Sequence, residues 1–107
     1  MGVMVIALFR PKPGKAADLM ACMRDHQPVL RAEGLVTERP AYVMRAADGT
    51  LLEVFEWKSQ AAIDSAHSNS SVHKLWARYA ACCDYVTIAD LAEAKMLFPG
   101  FEPVDLP

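Results

Sequence analysis

Long apolar runs, glycine, cysteine and charge of either sign in excess are all scarce in this chain, and each scarcity excludes something. No apolar stretch approaches the roughly 20 residues that a membrane-spanning helix needs. The apolar start, Val3 to Phe9, has no basic segment before it, so a secretory signal is not expected. Ile6 stands where an N-myristoylation signal requires Ser or Thr. Cysteine is limited to Cys22, Cys82 and Cys83, an odd set with two members adjacent, which argues against a disulfide framework and for a reduced, cytoplasmic protein. Lys and Arg number 11 against 13 Asp and Glu, a formal net charge of −2, and they are scattered rather than striped. No nucleic-acid partner and no membrane partner is therefore expected. The five glycines form no phosphate-cradling loop, and no Ser/His/Asp order, paired carboxylates or metal-ligand spacing stands out.

What the chain has in quantity is apolar side chain. Of 107 residues, 53% are hydrophobic. Counting the glycines in place of the tyrosines gives about 55%, above the roughly 45–50% usual for that grouping. Disorder is excluded, because it needs low hydrophobicity and high net charge. A single domain spanning 1–107 is the natural count, and a domain this small hides only about 60–70% of its unfolded surface. Although seventeen of the apolar residues are Ala, the surplus points to a partner, most economically a second copy.

The order of elements follows from periodicity. Val3–Arg10 is an unbroken apolar strand, which needs cover on both faces. Pro11 to Lys15 is a turn, and Ala16–Glu33 has helical spacing that Gly34 stops, with a kink or restarted turn expected near Gln27 because of Pro28. Leu35–Arg45 and Thr50–Lys58 read as strands joined by the Asp48-Gly49 hairpin turn, with Pro40 marking an edge or bulge. Ser59 caps a second helix, which Ser68-Asn69-Ser70-Ser71 interrupts before the stripe Val72, Leu75, Trp76, Tyr79, Ala80, Cys83. Asp84–Ala89 alternates as a fourth strand, Asp90 and Glu93 form a capping box for a short helix to about Leu97, and the Pro-rich tail beyond is irregular. The order β-α-β-β-α-β predicts an α+β, ferredoxin-like domain with an antiparallel four-stranded sheet, core 3–90, followed by the short helix and apolar tail of 91–107. Two helices cover one sheet face. The other face and the tail are expected to meet a second subunit, making a homodimer.

The turn Phe9-Arg10-Pro11-Lys12-Pro13-Gly14-Lys15, and Glu56-Trp57-Lys58-Ser59 followed by Ala62 and His67, resemble the antibiotic biosynthesis monooxygenase (ABM) family. Glu33-Gly34 through Cys83 resembles it in element order and length, so that roughly residues 3–90 are covered. The resemblance implies a dimeric α+β barrel. It also implies cofactor-independent oxygenation of a small hydrophobic, aromatic or quinol-like molecule, with His67 as the base that takes a phenolic proton. A haem-degrading branch uses an Asn on the first strand and a Trp and a His on the second long helix. Ala7, His67 and Ala77 stand there in this chain, so haem degradation is not expected unless His73 ligates in a shifted register. A non-enzymatic dimeric ligand-binding or stress-associated protein is the other reading, and a haem binder with altered ligation a third.

Phe55, Trp57, Trp76, Tyr79 and Tyr85 could wall an aromatic pocket, although the helical stripe accounts for Trp76 and Tyr79 as core. His67 could equally cap the last carbonyls of its helix. His73 is expected in solvent, and His26 at the surface or packed at the kink. Glu53 and Glu56 sit in an apolar strand and need partners, for which Arg39 and Arg45 are the cross-strand candidates. The alternative for Glu56 is a pocket carboxylate with a raised pKa. Cys83 continues the apolar stripe, so buried thiols are expected.

Overall fold

A computed structural model describes residues 2–106 of the chain. The first strand, β1 (Val3–Pro11), ends where Pro11 and the turn after it release the sheet, and α1 (Ala16–Ala32) follows. Gly34 adopts φ +70°, which L side chains rarely accept, and turns the chain back. The hairpin strands are β2 (Tyr42–Arg45) and β3 (Leu51–Trp57). Their turn is built around Gly49 at φ +92°, with the Asp48 carboxylate accepting the Thr50 N–H at 2.8 Å. Two capped helices come next, α2 (Gln60–Ala66) and α3 (Ser70–Cys82). Ser59 Oγ accepts the Ala62 N–H at 3.0 Å, and Asn69 Oδ1 accepts the Val72 N–H at 3.1 Å. The short strands β4 (Cys83–Tyr85) and β5 (Glu102–Pro103) flank two 3₁₀ turns, Ile88–Asp90 and Ala92–Lys95.

The five strands form one antiparallel sheet in the order β4-β1-β3-β2-β5. Register sorts the side chains. Val5, Ala7 and Phe9 of β1 lie opposite Phe55, Glu53 and Leu51 of β3, and Val43 of β2 lies on the other side of Glu53. This face carries α1 and α3. Leu19, Met23 and Leu30 from α1 and Val72, Leu75 and Tyr79 from α3 are its buried anchors. On the reverse face, Leu8, Ala46, Leu52 and Leu91 make a smaller core with Met44, Val86 and Phe101 packed around it. The segment after β4 is tied there by the Glu93 carboxylate, which accepts the Ala47 N–H at 2.8 Å. Beyond that cover the reverse face is open: Met4, Ile6 and Tyr42 are half exposed or more.

Several elements differ from the sequence expectations. α1 is continuous across Pro28, because the missing hydrogen bond falls on the exposed side while Gln27 and Leu30 are held in the interior. The expected Leu35–Arg45 strand is confined to Tyr42–Arg45. Leu35 to Thr37 pair with the end of β3, and Pro40, lacking an N–H, follows a departure from the ladder. The fourth strand stops at Tyr85 rather than Ala89, because Asp90 accepts both the N–H and the hydroxyl of Thr87 and draws residues 87–90 into a turn. The Asp90–Glu93 capping box and the short helix do not form. Glu93 is engaged on Ala47, and two 3₁₀ turns stand in the helix's place. The sheet has five strands rather than four: Val104 N–H reaches Val43 O at 2.9 Å, and Arg45 binds Glu102 at 2.9 Å, so the tail joins the edge of β2.

Candidate functional site

Glu53 has no exposed surface, and His26 has 4%. A carboxylate in the middle of an apolar sheet must be paired, and the only side chain at its first oxygen is His26 Nδ1, which hydrogen-bonds to Oε1. Nδ1 is the ring nitrogen that faces the carboxylate, and Nε2 stands on the far edge of the ring. Nε2 has no hydrogen-bond partner among the described residues. Phe9, Phe55 and Tyr79 meet the imidazole edge-on, with ring centroids 6.3, 5.3 and 5.4 Å away. Pairing and packing together leave the ring one orientation.

His26 opens onto a cavity of about 550 Å³ between α3 and the sheet. Its walls are aromatic: Phe9, Phe55, Trp57, Trp76, Tyr79 and Tyr85, with Val5, Ala7 and Ala80 completing them. The cavity exists because Ala7, between Val5 and Phe9, and Ala80 do not fill the space that larger side chains would. The volume lies in the range of small-molecule sites, and a mostly apolar wall with one convergent polar group is their usual composition. Burial, aided by the Glu53 charge, holds the Tyr79 phenol protonated, and its hydroxyl donates to Met23 Sδ at 3.4 Å. Burial pushes Tyr85 up to about 12. The Tyr85 hydroxyl is therefore held as a donor, while that of Tyr79 is engaged on Met23.

Five of the residues singled out from the sequence, Phe55, Trp57, Trp76, Tyr79 and Tyr85, line this one cavity. His67 does not. It is exposed at the end of α2, its Nδ1 donates to Ile63 O at 3.0 Å, and its ring rests against Trp76. His73 is exposed on α3 and reaches the His67 carbonyl. Glu56 lies on the reverse face, with Oε1 accepting from the Thr37 hydroxyl at 2.9 Å and from Arg39 Nε at 3.0 Å. These bonds hold its carboxyl below the usual range, opposite to the raised value a pocket acid would need. The Arg39–Glu56 pair matches the cross-strand expectation, whereas Arg45 turns to Glu102 and leaves Glu53 to His26. Among the described residues no three His, Cys, Asp or Glu side chains cluster to hold a metal ion.

The sequence carried one signal for His26. Leu19, Met23, His26 and Leu30 fall at i, i+4, i+7 and i+11, so His26 is on the buried stripe of α1. Pro28 suggested a local break and obscured it. Glu53 as its partner had no local signal, since 27 residues separate the two.

Replacing His26 by Leu strands the Glu53 carboxylate in the core, and chemical denaturation should show a loss of about 3–5 kcal/mol. The double variant His26→Leu/Glu53→Met should recover most of it. The thiols are also buried: Cys22 is raised from 9.0 to about 11 and Cys83 to about 12, chiefly by burial. The native protein should leave its cysteines unreactive toward a disulfide reagent at pH 8, with all three released on unfolding. Because the folded chain keeps these protons more tightly than the unfolded one, stability should fall as pH rises above about 9.

The chain matches no family model, no curated protein and no solved structure.

Proposed function

We propose that this chain is a small ABM-like oxygenase, which takes an aromatic phenol- or quinol-like molecule into the cavity beside His26 and oxidises it with O₂ without metal or flavin. One observation carries this: an imidazole held by a buried carboxylate lines an aromatic-walled cavity. That is the arrangement of a general base with a positioning partner. The base is thus His26, rather than His67. The substrate's phenolic proton passes to Nε2, and the electron-rich anion transfers an electron to O₂. Radical recombination forms the C–O bond, the imidazolium returns its proton to the peroxide to give a carbon-bound hydroperoxide, and O–O cleavage with loss of the carbon's hydrogen as water leaves a quinone. One oxygen atom ends in the product and the other in water, so the substrate supplies all four electrons that reduce O₂. Trp57, Phe55 and Tyr79 exclude water from the ion and radical pair, while the Tyr85 hydroxyl is the donor for a substrate oxygen.

The strand order β4-β1-β3-β2 with helices on one face supports the ferredoxin-like reading, with β5 an added edge. The exposed Met4, Ile6 and Tyr42 on the reverse face, and Leu97 and Phe98 at 92% exposure in the tail, support closure of two sheets into a dimeric barrel. Three free thiols suit a reducing compartment such as the cytoplasm.

His26→Asn tests the chemistry, because the Asn amide can still donate to Glu53 but has no group at Nε2. Oxygen uptake with a hydroquinone or anthrone substrate should fall about 10²–10⁴-fold, with little change in KM. Uptake unchanged in this variant overturns the assignment, and saturable binding without uptake in the native protein makes the cavity a non-catalytic ligand site. For assembly, light scattering should give a dimer at micromolar concentration that Ile6→Glu converts to a folded monomer. A native monomer excludes the barrel.

A further inference from the structure

We infer that a second cavity, on the opposite side of the His26–Glu53 pair, is a binding site for a small carboxylate that carries a hydroxyl group and an apolar body. This cavity measures about 440 Å³ and lies between the C-terminal half of α1, the start of β2 and the tail. It is separate from the oxygenase proposal, which uses the other oxygen of Glu53.

Two buried polar atoms point to an occupant. Glu53 Oε2 and Gln27 Nε2 have no hydrogen-bond partner among the described residues, and both side chains line this cavity. Glu53 is fully buried, and Gln27 is 8% exposed. The two atoms are complementary in sense: Oε2 accepts and Nε2 donates. A ligand hydroxyl is both donor and acceptor, so such a group can donate to Glu53 or accept from Gln27. Leaving either unpaired in the interior is costly, which favours an occupant with such a group.

The anionic end is argued from α1. Arg24, Gln27, Pro28 and Arg31 fall at i, i+3, i+4 and i+7, one helix face, and all four line the cavity. At about 1.5 Å per residue, the two arginines flank Gln27 within about 10 Å along the helix. Neither guanidinium has an ion-pair partner among the described residues, in contrast to Arg10, Arg39, Arg45 and Arg78. Asp105 at the exposed rim and Glu53 in the interior balance the two arginines in number, and the arginines' exposed helix face is where a carboxylate head group is favoured. Met23, Tyr42, Val43, Val104 and Leu106 supply apolar wall for the rest of the molecule.

The test uses mandelate as probe, phenylacetate as the same acid without the hydroxyl, and methyl mandelate as the same molecule without the charge. The whole chain is ¹⁵N-labelled, and the side-chain amide of Gln27 is assigned by its loss in Gln27→Met. Mandelate should shift that amide saturably, with phenylacetate and methyl mandelate each binding at least about tenfold more weakly, as expected when buried polar groups lose their partner. Arg24→Ala/Arg31→Ala, at exposed positions that should not disturb folding, should weaken mandelate binding by a similar factor. The inference is overturned if millimolar mandelate leaves the Gln27 amide unmoved. It is equally overturned if only the Trp57 and Trp76 indole signals of the other cavity respond, or if phenylacetate binds as well as mandelate.

Discussion

The hydrogen-bonded pair of His26 and Glu53 is the constraint around which this domain is arranged. A carboxylate with no exposed surface is tolerated only if the fold delivers a partner to it, and that partner comes from a helix 27 residues earlier in the chain. Satisfying Glu53 fixes how α1 is rotated over the sheet. Leu19, Met23 and Leu30 then face inward on the same stripe, and Arg24 and Arg31 are carried to the edge. The neighbours of Glu53 in the sheet, Ala7 and Val43, are small enough to leave the helix room to approach. Space remains on both sides of the pair, aromatic toward α3 and mixed toward the tail.

An imidazole in such a place is more than a filler. Phe9, Phe55 and Tyr79 meet it edge-on and Glu53 bonds its Nδ1, so its ring is held from both sides. Burial raises both Tyr79 and Tyr85 and keeps their hydroxyls protonated. The same sheet has a second apolar problem on its reverse face. The segment after β4 solves part of it by docking Leu91 and Phe101 over Leu8 and Leu52, held by Glu93 on Ala47. Met4, Ile6 and Tyr42 lie outside that cover.

Much of the architecture was legible because it rests on local chemistry. The apolar β1 run, the Asp48-Gly49 turn, the caps at Ser59 and Asn69 and the stripe through Val72, Leu75 and Tyr79 all report themselves within a few residues. Five aromatic residues of the cavity were legible for the same reason, as members of strong strands and a strong helix. Most of the errors have a different cause. Glu93 and the segment Leu35–Thr37 have local readings that distant partners override, Ala47 and the end of β3, whereas Asp90 is drawn into a turn by Thr87 three residues before it. Pro28 suggested a break in a helix that tertiary packing keeps whole. β5 has two residues and exists only because the edge of β2 accepts it.

Composition and periodicity by themselves pointed to an α+β fold rich in apolar side chains, and no helix among the described residues is long and apolar enough to cross a membrane. They determined which residues are helical and which extended wherever the pattern ran long enough. Only the tertiary structure decided which histidine matters. His26, His67 and His73 differ chiefly in what stands opposite: a buried carboxylate and an aromatic cavity for the first, a backbone carbonyl and solvent for the others. The physical reason is that a side chain's proton and orientation are set by groups within a few ångströms of it, and those groups are supplied here by strands and helices far apart along the chain.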